Sequence, residues 1–155
     1  MKKLFLVLTA ILAVSVLSAQ VKVDISRSNP VVSDEVNAVT LGIFHGGGAL
    51  IGVDYERLIS GGFGVQGGVG YKAFGFGLNY HFKPTTRSSY INLGYWHQGL
   101  GATYTQSLVG VTFVYRAKKI LQASIGGGYQ VDYNYLTFYE YGFELMYSLG
   151  VYLPF

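Results

Sequence analysis

The side chains of this sequence that carry acid–base or metal-binding chemistry are few and scattered. There are three histidines, His45, His81 and His97, and the charges of chemical interest are Asp54, Glu56, Lys72, Arg116, Asp132, Glu140 and Glu144. Asp132 and Glu140 flank one turn-like stretch, and two carboxylates held close together share a proton or bind a hard cation. Nothing near them supplies a third ligand, so neither a metal nor a cofactor is expected. A histidine with a serine and an acid in hydrogen-bonding reach is the arrangement of acyl transfer. Neither His45 nor His97 has a serine two residues away, and Ser107 stands on the segment beside His97 without an evident acid. The runs Gly46, Gly47, Gly48 and Gly126, Gly127, Gly128 lack the strand-to-helix context of a phosphate loop.

The elements that position these residues alternate with period two, which is the signature of strands. It is clearest at the end of the chain, where Tyr139, Tyr141, Phe143, Leu145, Tyr147, Leu149, Val151, Leu153 and Phe155 form one apolar face against Glu140, Gly142, Glu144, Met146, Ser148 and Gly150. Working back gives eight strands. Strand 1 covers residues 38–45, with Thr40, Gly42 and Phe44 inward, and ends at the turn Gly46, Gly47, Gly48. Strand 2 runs from Ile51 to a turn at Ser60, Gly61 and Gly62; strand 3 covers 63–72, with a tight turn at 73–75. Strand 4 covers 76–82 and stops at Lys83 and Pro84, since proline cannot donate to a ladder. Strands 5 to 8 cover 89–98, 103–115, 121–134 and 139–155. By parity Asp54, Glu56, Lys72, His81, Arg116, Asp132, Glu140 and Glu144 point inward, and His45 and His97 point outward near one rim.

Composition decides which face meets what. Half of the chain is hydrophobic and 12% is charged, against about a quarter charged in ordinary soluble domains. A soluble barrel would bury its apolar face and show water a far more charged surface. The apolar face is therefore expected outward, in lipid, and the polar face inward. No apolar run after residue 19 is long and unbroken enough for a membrane helix, which leaves strands in a closed barrel to satisfy the backbone. Eight strands enclose only enough room for side chains, so the inward charges are expected to pair as a lumen polar network and leave no open pore. Residues 1–19, with Lys2, Lys3, an apolar run and Ala19, read as a signal peptide. Removing them lowers the net charge from +3 to +1, which suggests no nucleic-acid partner.

On this plan residues 38–155 resemble the small eight-stranded bacterial outer-membrane β-barrels of the OmpA/OmpX type, through the terminal aromatic strand and the even count of strands. The resemblance implies an antiparallel up-and-down transmembrane barrel in the outer membrane of a Gram-negative envelope, monomeric, with residues 20–37 as a periplasmic tail or partial plug. It also implies that Phe155 carries the signal read by the barrel assembly machinery. Arg57, Lys83, Arg87, Arg116, Lys118 and Lys119 then fall at the periplasmic turns. The expected role is structural or interactive, without catalysis, and with outer-membrane lipids as partners. The alternatives are a lipid A-modifying enzyme using His97 or His45, as some barrels of this size are, and a small porin-like channel.

Overall fold

The computed structural model describes residues 35–101, 105–134 and 142–155. The expected signal peptide, residues 20–34 of the expected tail, the turn after strand 7, Glu140 and the start of strand 8 lie outside them. The unit Val32–Phe155 contains eight strands: β1 (Asn37–Ile43), β2 (Gly52–Ser60), β3 (Phe63–Gly70), β4 (Ala73–His81), β5 (Tyr90–Gln98), β6 (Thr105–Arg116), β7 (Leu121–Asn134) and β8 (Phe143–Pro154). Each pairs antiparallel with the next, and β8 returns to β1, so the sheet closes into an up-and-down barrel. Closure extends past the strand ends, where Asn37 and Phe155 exchange backbone hydrogen bonds of 3.0 and 2.9 Å. No strand edge is left open, which is what closure achieves for an antiparallel sheet.

The alternation in the sequence becomes an inside and an outside. Along β4, Ala73, Gly75, Asn79 and His81 are buried while Phe76, Leu78 and Tyr80 are exposed. The same holds around the barrel: Leu78, Ile125 and Leu145 are each close to 60% exposed, whereas Thr40, Asn79, Asn92, Thr112, Gln122 and Ser148 are buried. This polarity is the reverse of a soluble barrel. We call the end with the β1–β2, β3–β4, β5–β6 and β7–β8 connections the upper end and the other the lower end.

Two turns differ from the alternation pattern. No turn lies at 73–75: β4 begins at Ala73, paired with Gly70, so the chain reverses over Tyr71 and Lys72. A two-residue reversal places a residue at positive φ, here Lys72 at 56°. Lys72 is consequently exposed on the upper rim and outside the lumen, with its ammonium 5.7 Å from the Tyr71 ring.

The second difference follows β1. Phe44 adopts φ 58°, ψ 22°, and this left-handed residue inverts the alternation, so that Phe44 and His45 exchange faces. The Phe44 ring packs edge-on against outward Tyr147 at 4.9 Å, and His45, expected outward, is buried. The turn His45–Gly48 folds into the barrel, with Gly46 and Gly47 also left-handed. A Cβ on Gly47 would lie 1.9 Å from the Phe74 carbonyl oxygen, so both the backbone conformation and the space demand glycine here.

Gly47→Ala is therefore expected to destabilise the barrel by about 3 kcal/mol or more, combining overpacking with left-handed strain. Gly67→Ala serves as the control, because a Cβ there meets nothing within 4 Å. Urea midpoints of both variants refolded in micelles check this, and equal midpoints would refute the packed turn.

Candidate functional site

The lower half of the lumen is organised around Glu56 on β2, which is 2% exposed. Its Oε1 accepts from His81 Nε2 at 2.7 Å and from Asn79 Nδ2, and its Oε2 lies 2.6 Å from Arg116 Nη1. Alternation places these partners: Asn79 and His81 are inward neighbours on β4, and Arg116 ends β6 on its inward face. The Arg116 guanidinium lies between the rings of Tyr90 and Tyr152, 4.9 and 4.7 Å from their centroids. Its Nε donates to Gln122 at 2.7 Å, and Nη1 also donates to the Thr86 carbonyl in the connection between β4 and β5. Thr86 in that connection is itself fully buried. The stacking adds cation–π attraction to the ion pair.

Lower-end surface charges form a separate tie. Arg87 holds Glu35 through two hydrogen bonds of 2.6 and 2.8 Å, and this guanidinium keeps the Glu35 carboxyl below the usual carboxylate range. A carboxyl lowered on folding contributes stability above its ordinary pKa and loses it as pH falls through the lowered one. Both groups are solvated, so salt weakens the tie.

In the upper half Asp54 secures the inserted turn. Its Oδ2 lies 2.6 Å from His45 Nδ1, and its Oδ1 accepts the Gly46 N–H at 3.0 Å. Beside the turn, Gln98 Nε2 donates to the Gly48 carbonyl at 3.1 Å, and a chain of amides continues through Gln106 to Gln130. Between the two halves a cavity of about 20 Å³ is lined by polar groups including His45, Asp54, Gln66, Tyr90 and Gln122. That is room for about one water molecule. His45 Nε2 is buried there without a hydrogen-bond partner among the described residues.

The expected lumen network thus divides. Asp54, Glu56, His81 and Arg116 lie in the lumen and form two groups. Lys72 is on the rim, and Glu144, although on the inward parity opposite Gly128, is exposed at the upper mouth. Asp132 leaves the inward face because of a bulge: Leu108 pairs with Gln130 but Ser107 pairs with Asp132, so Val131 is extra and Asp132 comes opposite outward Ser107. The expected pairing of Asp132 with Glu140 involves a residue outside those described. No cluster of three metal-binding side chains occurs among the described residues. Tyr90 and Tyr152 complete the Arg116 site, and the only sequence signal for them is inward parity within otherwise aromatic strands.

Outside the lumen, His97 Nδ1 lies 2.9 Å from Ser107 Oγ, which also accepts from Tyr95 Oη at 2.9 Å. His97 and Ser107 are opposite each other in the β5–β6 ladder. His45 cannot join such surface chemistry, because it is luminal.

Truncating one member of a buried ion pair strands the other. Arg116→Ala is expected to lower unfolding free energy by about 3–5 kcal/mol, and Glu56→Gln combined with Arg116→Met by less than the two single changes added. A double-mutant cycle in micelles measures this. Strict additivity would show that the two charges are not coupled.

Compared with known proteins, the chain matches no protein-family model, no curated protein and no solved structure.

Proposed function

We propose that the protein is an integral outer-membrane β-barrel that crosses the bilayer with all eight strands, keeps its lumen closed and acts through its surface in a structural or interaction role. The observation that carries this reading is the continuous outward apolar wall around a polar interior. Water would penalise such a wall, whereas lipid requires it. A strand needs about 9–11 residues to cross a bilayer, and β4 to β8 have 9 to 14. No helix among the described residues is long and apolar enough to cross a membrane.

The closed lumen argues against the channel reading. The upper mouth holds the turn His45–Gly48, the lower mouth holds the connection over Arg116, and the cavity between them admits about one water. Lipids are then the constant partners of the wall, a monomer suffices, and the assembly machinery reads Phe155 at the end of β8.

The protein is expected in the outer-membrane fraction, migrating faster in gels when unheated, and without conductance in planar bilayers. Solubility without detergent would end the membrane reading, and steady unit conductance would end the closed-lumen reading. Phe155→Ser is expected to reduce the folded, heat-modifiable fraction severalfold, while Val53→Ser, also on the outer wall, is tolerated. Equal assembly of the two variants would remove Phe155 as the signal.

A further inference from the structure

Two of the lower-end connections are short: Gly61 and Gly62 join β2 to β3, and residues 117–120 join β6 to β7. The third, residues 82–89 between β4 and β5, is longer than both. Its base is closed where the Phe82 N–H donates to the Ser89 carbonyl at 3.1 Å. Beyond the base it braces itself, with the Ser88 N–H on the Thr85 carbonyl and the Lys83 N–H on the Ser88 hydroxyl, both at 3.0 Å. Closure of the sheet fixes how far it reaches. In a ring of eight strands β4 and β5 stand opposite β8 and β1. The connection nevertheless meets Glu35, two residues before β1: Thr86 Oγ1 donates to the Glu35 carbonyl at 2.9 Å, and the Arg87 guanidinium forks onto the Glu35 carboxylate. It therefore spans the lower mouth from one wall to the opposite one.

The ties that hold this span differ in kind. On the lumen side, the fully buried Thr86 places its carbonyl on Arg116 Nη1, and the Ser88 carbonyl lies 3.2 Å from His81 Nδ1. On the far rim the tie is an ion pair, and both of its side chains are partly exposed. Salt screens an exposed pair and acts far less on buried contacts. Behind the span, Arg116 Nη2 is buried without a hydrogen-bond partner among the described residues. That group gains a partner when water enters from below.

We propose that the β4–β5 connection is a lid on the lower mouth, hinged at Phe82 and Ser89 and latched on the opposite rim by the Arg87–Glu35 ion pair, and that release of the latch admits water to the Glu56–Arg116 group. The proposal rests on the closed-lumen reading and deepens it: the lower closure is reversible, while the turn His45–Gly48 keeps the upper mouth shut. A released lid wets the lower lumen without making a channel. The braced connection swings as one piece about its base, as hinged elements do. Water reaching the site screens Glu56 from Arg116, so the lid also protects the interior ion pair.

The chain contains no cysteine, so single cysteines report on the lid in the full-length folded protein in detergent micelles. Heat-modifiable migration and bilayer conductance are recorded first for each variant, so that failure of the barrel or closed-lumen reading is seen separately. The probe is methyl methanethiosulfonate, which is small and uncharged. Thr86→Cys is expected to react about tenfold or more slower than Lys83→Cys, exposed on the same connection, because a buried site reacts only when it opens. Adding Arg87→Ala or Glu35→Gln to Thr86→Cys is expected to speed it about two- to fivefold, the range of an exposed ion pair. Lys118→Ala, which removes a charge from the connection after β6, leaves the rate unchanged, and exchanging the pair, Glu35→Arg with Arg87→Glu, restores the slow rate. Raising salt from about 20 mM to about 500 mM speeds Thr86→Cys but not Thr86→Cys with Arg87→Ala. Because the cysteine itself removes the Thr86 hydroxyl, exchange of the Arg116 Nε proton with water is also followed by NMR with Thr86 in place, and Arg87→Ala is expected to speed it by a similar factor. Equal reactivity at positions 86 and 83 would show that no lid covers the mouth. Rates indifferent to Arg87→Ala in both measurements would show that the ion pair is no latch, and either result overturns the proposal.

Discussion

A carboxylate and a guanidinium side by side, both closed off from bulk water, form the constraint on which the rest of the barrel interior depends. Eight strands enclose too little space for solvent, and each buried charge must be answered by protein groups or it costs several kcal/mol. Glu56 is answered from β4 by Asn79 and His81 and from β6 by Arg116. Arg116 is answered in turn by Tyr90 from β5, Tyr152 from β8, Gln122 from β7 and the carbonyl of Thr86. One ion pair on β2 and β6 thereby requires four further strands to keep their register. A slip of one residue in any of them would carry its inward groups to the outer wall.

The upper half meets the same requirement by a different route. Asp54 is two residues before Glu56 on the same inward face of β2, but no arginine among the described residues reaches it. The chain instead brings a partner in from the β1–β2 connection, and His45 can enter only because Phe44 inverts the alternation and the following glycines follow a left-handed path. Backbone and side chain are thus satisfied together, since the Asp54 carboxylate accepts from both the His45 ring and the Gly46 N–H. The glycine run works as a luminal plug held by a charge.

Most of the barrel is legible in the sequence because period-two alternation of apolar and polar residues maps directly onto the two sides of a closed sheet. The positions of eight strands, the outward row of β8 and the luminal placement of Glu56, His81 and Arg116 all follow from parity. Parity fails where the backbone leaves the pleat. Phe44 at positive φ exchanges faces with His45, Lys72 falls in a two-residue reversal, and the bulge at Val131 moves Asp132 to the outer wall. None of these changes composition or period enough to be read in advance. Tyr90 and Tyr152 were hidden for another reason, since in a chain with 14 tyrosines a ring beneath an arginine looks like any girdle residue until the register is known.

The division of polar groups between lumen and wall follows from the same requirement. Inside, Glu56, His81 and Arg116 are committed to one another and Asp54 to His45, and the cavity between the two groups is too small for a substrate larger than water. On the wall, a buried hydroxyl or imidazole is costly unless it is hydrogen-bonded. Ser107 and His97 satisfy that requirement with each other and with Tyr95, which gathers them at one point instead of scattering them along the strands.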